Sequence, residues 1–572
     1  MAAADWANAS PEKNKTTQSS HEVDRGVRKK PGRGIGRLLP ILFNLHSSGD
    51  QCGARSSPRI DSSICFSPSL VRKLTSTRTT LIAVQRRLSH SGAYLAVRLA
   101  NGAMALLTLY VLTRLMSAEQ YGLYALGLAA LNICAAVNFQ WLVVGVARFY
   151  PLHAQDPRVL LASVRKIFFV LVAATGALAL LLLTARSWFE LTRSLGWTLI
   201  ALVWAGSVAM AWQNLHLQIV NARGLPLRYG LISTVRSAVT LLCAVLIIKY
   251  TADGVVVLAA TVMGCLTAVT LFGSPALPTL KRDADSGTWN QALAASLIRY
   301  GGPLSLTYIA VMLVDQSDRF FIAWWSGAQA VAGYAAAYDL AQQTAGAVLN
   351  VFFLAHYPKI TSAWEQGGAQ AARIAMAPLA RGLVLTAPLV CGFFAGLAPE
   401  IAAAMFGASL QSDATTVLPW IAFAVTMGSL RAFCFDIAFH VTKNSVAQLG
   451  AMATMAATNL SLNLLLIPRF GVLGAAISTT VAMGLGALAS AWWGRKVGVY
   501  PPMGLDLCKA ALIALLTAFV LRGSSHWDGH FIGWSLRLGT TCLLFGLTVW
   551  VLNLGQIRSL GLALVRARSA AG

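Results

Sequence analysis

The sequence predicts an all-α integral membrane protein of about fourteen transmembrane helices, arranged as two six-helix bundles plus two C-terminal helices. Three observations carry that expectation. The chain is 56% hydrophobic and only 12% charged, whereas a soluble globular chain is about one quarter charged. Apolar runs of about 20 residues recur from residue 91 onward, the length that crosses a hydrocarbon core of about 30 Å. Basic residues between those runs alternate from dense to sparse, as the positive-inside rule produces.

Taken in order, the chain begins with a basic tail at 1–87. It is rich in Ser, Thr, Arg, Gly and Pro and lacks periodicity, which predicts disorder. Its one apolar patch, LLPILFNL at 38–45, is short, contains Pro40 and lacks a clean small-residue cleavage site. A solvated tail fits it better than a signal sequence. Translation from a later start codon would remove this tail, and an intact mass of the native protein tests that.

Six candidate helices follow at 91–114, 121–146, 164–185, 196–220, 227–248 and 253–273, forming an N-terminal bundle over 88–273. A cytoplasmic linker covers 274–295. Six more candidates, at 296–323, 328–354, 374–397, 415–440, 446–467 and 471–493, form a C-terminal bundle over 296–495. The helices at 505–522 and 531–552 are additions within 496–555, and 556–572 is a cytoplasmic tail. Numbered from a cytoplasmic N-terminus, most basic loop residues fall on one side, among them Arg158, Lys166, Arg223, Lys281, Arg373, Arg381, Arg495 and Lys496. Arg114, Lys249, Arg469, Arg522 and Arg537 are among the few on the other. A missed helix would scramble that alternation, so both ends are expected in the cytoplasm of a cell whose inner membrane holds the protein.

Two pairs of segments suggest that one six-helix unit is used twice. LTRLMSAEQYGLYALGLA (112–129) and FIAWWSGAQAVAGYAAAYDLA (321–341) each place a Ser-containing turn before a Gly/Tyr-rich helix. KYTADG (249–254) and RFGVLG (469–474) each place a Gly five residues after a basic one. Six helices are an even number, so both copies share an orientation, and a site is expected between them. In IPRFGVLGAA, Pro468 is expected to end a helix, and Gly471 and Gly474 to permit a tight turn and close packing.

Several function classes are excluded. The net charge of +24 comes without interleaved basic and aromatic residues, so no nucleic-acid partner is expected. Nine cysteines form no Cys-x-x-Cys pair, and nine scattered histidines make no ligand motif, so neither disulfides nor a metal site is expected. No Walker A loop and no Ser/His/Asp pattern stands out, and no cofactor is implied. Loops reach only about 20 residues, too short for the large periplasmic loop on which a membrane oligosaccharide polymerase or ligase carries its chemistry.

Charges inside the apolar runs are the functional signal, because an unpaired charge at mid-bilayer costs about 2.5–3.5 kcal/mol. In PLSLTYIAVMLVDQSDRFFIAWW, the residues Ser305, Tyr308, Asp315, Asp318 and Arg319 make one polar stripe. Asp315 and Arg319 share a helix face at i, i+4 and are expected to pair. The first helix carries Tyr94, Arg98, Asn101 and Thr108, and the eighth Tyr338, Asp339, Gln342, Gln343 and Asn350. The tenth carries Arg431, Asp436 and His440, with Asp436 and His440 again at i, i+4. Snorkelling, internal pairing and interhelical hydrogen bonding are the structural alternatives for these groups.

Three stretches carry a family resemblance: TRLMSAEQYGLYAL (113–126), YGGPLSLTYIAVMLVDQSDRFFIAWWSGAQAVAGYAAAYDLA (300–341) and NLSLNLLLIPRFGVLGAAIS (459–478). Over about residues 88–555 the chain resembles the polysaccharide transporter, or O-antigen flippase, family of the MOP superfamily, relatives of MATE exporters. The resemblance implies a MATE-like pair of bundles around a central cavity. It also implies a partner, a lipid-linked oligosaccharide on undecaprenyl diphosphate, moved from the cytoplasmic to the outer leaflet among membrane lipids. Guanidinium binds phosphate through forked, charge-assisted hydrogen bonds. Arg98, Arg319 and Arg431, with Asn101 and Tyr308, are therefore expected to line the cavity, and Asp315, Asp318, Asp339 or Asp436 to couple movement to H+ or Na+. The alternative is an ion-coupled exporter of small molecules, for which an acidic cavity is expected.

Overall fold

Helix follows helix along the chain, as the apolar runs require. The structure, a computed structural model, describes residues 100–184, 196–251, 253–273, 289–524 and 531–556. All of these belong to one unit, Thr80–Gly572. The tail at 1–87, Arg98, most of the linker and the C-terminal end lie outside the described residues.

The N-terminal helices are α1 (Ala100–Leu115), α2 (Ala118–Phe149), α3 (Arg158–Thr184), α4 (Trp197–Ala222), α5 (Pro226–Tyr250) and α6 (Leu258–Phe272). They are followed by α7 (Gln291–Ala341), α8 (Ala347–Gly396), α9 (Ala398–Met405), α10 (Ala408–Leu430), α11 (Ile437–Thr442), α12 (Ser445–Gly494), α13 (Gly504–Gly523) and α14 (Phe531–Val551). Single π-helical turns, Gln342–Gly346 and Arg431–Phe435, join α7 to α8 and α10 to α11. Among the described residues, 8 helical stretches are long and apolar enough to cross a membrane, and three shorter apolar helices accompany them. The fold is all-α and multi-pass.

The longest helices are not single rods. α7 breaks at Gly327 (φ 82°), α8 at Gly367 and Gly368 (φ 62° at the latter), and α12 at Gly471 (φ 53°). Positive φ is open to glycine because it has no Cβ. Pro468 does not end its helix as expected: helix continues to Phe470, and the chain breaks at Gly471. A proline removes one backbone donor, but a reversal of direction needs a dihedral that glycine alone reaches easily. Gly474 then packs against the first leg, where an added Cβ would stand 2.4 Å from the Leu466 carbonyl oxygen.

Other boundaries also shift. The expected span at 253–273 starts as helix only at Leu258, because Asp253 turns the chain by accepting the Val255 N–H at 2.8 Å. Helix continues through 355–366, expected as loop; His356, Lys359 and Glu365 make that stretch a polar extension. The short helix α9 had no counterpart in the apolar pattern.

The repeated segments meet each other. Ser117 caps α2 by accepting the Gln120 N–H at 3.3 Å, and the Gln120 side chain accepts the Gly254 N–H at 2.6 Å. In the other copy, Ser326 Oγ lies 3.7 Å from where a Gly471 Cβ would stand. In both copies the Ser turn of one motif lies against the Gly turn of the other.

The most extensive helix pairing is α2 against α7. At its tightest point a Cβ on Gly122 would stand 1.8 Å from the Ala328 carbonyl oxygen. Beside it, Arg114 Nη2 donates to the Ala404 carbonyl at 2.9 Å and the Ala403 carbonyl at 3.4 Å, at the C-terminal end of α9. Thr113 donates to the Met405 carbonyl at 3.4 Å, and a Cβ on Gly407 would stand 2.2 Å from the Thr113 oxygen. Backbone from the two halves of the sequence is thus in contact here.

Gly122→Ala cannot keep this approach, so about 1–3 kcal/mol of destabilisation is expected. Gly102→Ala, whose Cβ meets nothing within 4 Å, is expected to be neutral or stabilising. Unfolding in mixed micelles measures both; equal effects would contradict the α2–α7 packing.

Candidate functional site

The break at Gly327 folds α7 back on itself. Asp318 on the first leg accepts the Tyr334 hydroxyl of the second, and one turn further along each leg Asp315 accepts the Tyr338 hydroxyl at 2.8 Å. That order of partners is an antiparallel helical hairpin. The break at Gly471 does the same for α12, bringing Asn459 Nδ2 of one leg to 3.4 Å from Thr479 Oγ1 of the other. The two hairpins pack side by side.

Asp318 sits where they meet and is fully enclosed. Its carboxylate accepts from Tyr334 and Thr479 hydroxyls and from Asn463 Nδ2 at 2.5 Å. Asn459 Oδ1 in turn accepts from Asn463 Nδ2 at 3.2 Å and from the Ser317 hydroxyl at 3.3 Å. Every direct partner of the carboxylate is neutral, and the Asn463 Oδ1 acceptor is buried with no hydrogen-bond partner. Such a group is oxygen-rich, carries a single charge and is shielded from bilayer and water.

Arg319, next in sequence, points elsewhere. Its Nη2 binds Asp339 Oδ1 at 2.7 Å; the arginine side chain is 2% exposed and the aspartate 37%. The expected Asp315–Arg319 pair therefore does not form: each residue finds its partner across the hairpin rather than along the helix. Gln342 and Gln343 beside Asp339 are exposed. Asp339 and these two amides thus form an open polar surface at the middle of the expected eighth span.

Arg431 belongs to a second cluster on the π-helical turn after α10. Its Nη1 binds Asp436 Oδ2 at 2.9 Å and lies 2.7 Å from Met452 Sδ, while Asp436 Oδ1 accepts the Ser490 hydroxyl at 2.8 Å. Both charged side chains are sealed, at 8% and 4% exposure. His440 meets Gln448 at 3.3 Å instead of the expected Asp436, whose oxygens are taken by Arg431 and Ser490. Of the remaining expected site residues, Asn101 accepts the Thr234 hydroxyl at 3.1 Å, and Tyr308 is 44% exposed. Arg98 is outside the described residues. The structure thus brings together Asp315, Asp318, Arg319 and Asp339, and holds Arg431 with Asp436 separately.

Sequence reasoning missed Asn459, Asn463, Thr479 and Ser490. The signal was present: Asn459 and Asn463 in NLSLN are polar at i, i+4 inside an apolar run, the same test that singled out the α7 stripe. It also missed a third ion pair. Arg537, inside the expected helix 531–552 but counted with the basic residues of the opposite side, is fully buried in α14, binds Glu400 of α9 at 2.9 Å and donates to the Leu521 carbonyl.

These features define a class: a multi-pass membrane fold with buried polar hairpins inside a helical bundle. Residues 88–364, just under half of the chain, match the family described as polysaccharide biosynthesis protein. The chain is similar in fold to a solved structure titled lipid II flippase MurJ, inward closed conformation, with a TM-score of 0.59 at 13% identity, covering 82% of this chain and 99% of that one. It is also similar to a multidrug resistance MATE family transporter of the MOP superfamily in an inward-facing conformation, with a TM-score of 0.55 at 16% identity, covering 71% of this chain and 97% of that one. No curated protein matches by sequence. The fold is that of these MOP-superfamily structures, and the matched residues 88–364 include two of the three stretches that carry the resemblance to the polysaccharide transporters.

The two arginine pairs are expected to behave differently. Arg431→Ala leaves Asp436 sealed without a countercharge and is expected to cost about 3–5 kcal/mol, most of it recovered by Arg431→Met with Asp436→Leu. Arg319→Ala leaves Asp339 partly exposed and is expected to cost less. Unfolding of the purified variants in mixed micelles ranks them; the reverse order would contradict the burial difference.

Proposed function

We propose that the protein flips an undecaprenyl-diphosphate-linked oligosaccharide from the cytoplasmic to the outer leaflet of the inner membrane by alternating access. This reading takes the chain as fourteen crossings, two six-helix bundles and two C-terminal helices, with both ends in the cytoplasm. The observation that carries the reading is the open polar surface at Asp339, Gln342 and Gln343, backed by the enclosed Arg319. Polar groups exposed at bilayer depth face water or a polar ligand, because hydrocarbon leaves them unsatisfied. A diphosphate entering there exchanges with Asp339 for the Arg319 guanidinium, one charge-assisted pair for another. Arg98, Asn101, Tyr308 and Arg431 complete the proposed contacts, Arg431 only once it leaves Asp436.

Asp318 is the foremost candidate for ion coupling, ahead of Asp315, Asp339 and Asp436. A lone carboxylate among neutral oxygens suits either a proton or a sodium ion. The orphaned Asn463 Oδ1 beside it favours a cation that takes oxygen ligands.

A second reading keeps support from one observation: the group exposed beside Arg319 is an acid. That fits an ion-coupled exporter of small cations in the manner of MATE transporters.

Deletion of the gene separates the two. The flippase reading expects carrier-linked oligosaccharide to accumulate on the cytoplasmic face and to be cleared by residues 88–572 alone. Arg319→Ala at normal abundance is expected to restore less than about a tenth of that clearance, the loss of one charge-assisted contact. Normal clearance by both Arg98→Ala and Arg431→Ala would remove those two from the cavity. Heightened sensitivity to cationic compounds without lipid accumulation would favour the exporter.

Coupling is read separately, in vesicles carrying imposed proton or sodium gradients. The wild-type protein is expected to respond to one of them, and Asp318→Asn to neither.

A further inference from the structure

Two neighbouring cavities at one end of α8 and α13 have no part in the proposed transport path. α13 runs alongside the second leg of α8 in the same direction. Toward the far end the two helices touch: a Cβ on Gly392 would stand 2.6 Å from the Thr517 side chain, and one on Gly396 2.5 Å from Leu521 Cβ. Toward the other end both helices line a hollow. There an apolar cavity of about 440 Å³ opens, lined by Val384, Pro388, Met427, Gly484, Leu507 and Ala511 among others. It adjoins a second cavity of about 320 Å³ that shares Val384, Pro501 and Met503 with it and adds Arg373, Arg381 and Asp506. One hollow therefore has an apolar body and a mouth carrying two guanidinium groups.

The mouth lies at headgroup depth. Trp492 and Trp493, at the end of α12, are 60% and 42% exposed, and the Arg495 guanidinium lies 3.3 Å above the Trp492 ring. Exposed tryptophan beside arginine marks the membrane–water interface. Lys496 follows in the same connection. The one acid at the mouth, Asp506, has Lys509 at 4.0 Å, so the local balance stays positive.

We propose that this hollow holds a resident anionic phospholipid of the bilayer, its phosphate between Arg373 and Arg381 and an acyl chain in the apolar body. In a bilayer an acyl chain gains no hydrophobic free energy by entering such a body, since lipid and leucine are equally apolar. It enters because an unfilled body forfeits dispersion contacts along its walls. Selection therefore comes from the head, through the basic mouth between helices. The site is independent of the transport reading: Arg373 and Gly484 belong to neither polar cluster.

The test uses the purified full-length protein with lipids added in detergent, read by native mass spectrometry and by the shift in unfolding temperature. Phosphatidylglycerol is expected to bind and to raise the unfolding temperature, and phosphatidylcholine to do so more weakly. Arg373 is exposed, so Arg373→Ala leaves the core intact and is expected to weaken phosphatidylglycerol binding roughly fivefold, with phosphatidylcholine little changed. A Cβ on Gly484 meets nothing within 4 Å, so Gly484→Leu starts into open space, takes up room in the body and is expected to weaken both lipids. Equal binding of the two lipids, or binding unaltered in both variants, overturns the proposal. So does an equal shift from glycerol phosphate alone, which would make the mouth a site for a free anion. Binding of a polyprenyl phosphate but not of phosphatidylglycerol also overturns it, because the occupant would then be a carrier lipid.

Discussion

The carboxylate of Asp318 ties the second half of the chain together. Its donors come from three other helical legs: Tyr334 from the return leg of α7, Asn463 and Thr479 from the two legs of α12. Pulling any leg away strands a donor and part of a charge in a medium that offers neither water nor counter-ion, where each unsatisfied group costs several kcal/mol. The four legs therefore move as one piece. Under the proposed alternating access, rearrangement goes around this block and not within it, unless the charge at its centre is changed by a proton or a cation.

The two guanidinium clusters follow from the same constraint with different results. At the turn after α10, arginine and aspartate are both sealed, so neither member is released before a new partner for its charge has reached it. At the α7 hairpin, the arginine is sealed but its aspartate opens on one side. A ligand can reach that aspartate from the open side and compete for its partner. Burial of one member only is what separates an exchangeable ion pair from a fixed one. The motif at 314–325, three charges in an aromatic run, thus holds both kinds of group: a fixed one at Asp318 and an exchangeable one at Arg319.

Much of the architecture was legible in the sequence because the bilayer forces it. Apolar run length gave most of the helices, whereas the meeting of the repeated Ser and Gly turns in space was not foreseen from their matching order. The site was less legible. The i, i+4 rule correctly put Asp315 and Arg319 on one face, yet both bonded across the hairpin. A reversal at Gly327 brings a second helix as close as the next turn of the same one, and side-chain spacing cannot foresee that. Arg537 shows the same limit. Near a helix end it was counted with the basic residues of the opposite side, and only the unforeseen helix α9 supplied the carboxylate that lets it be buried. Conversely, Asn459 and Asn463 were visible as polar neighbours in an apolar helix and were passed over because they carry no charge.

The contact between Arg114 and the end of α9 has a further consequence. The guanidinium is held by peptide oxygens, which gain and lose no protons across the physiological range, and arginine itself stays charged there. This clasp joins the two halves of the chain without any acid, so no change in the charge of a carboxylate opens it.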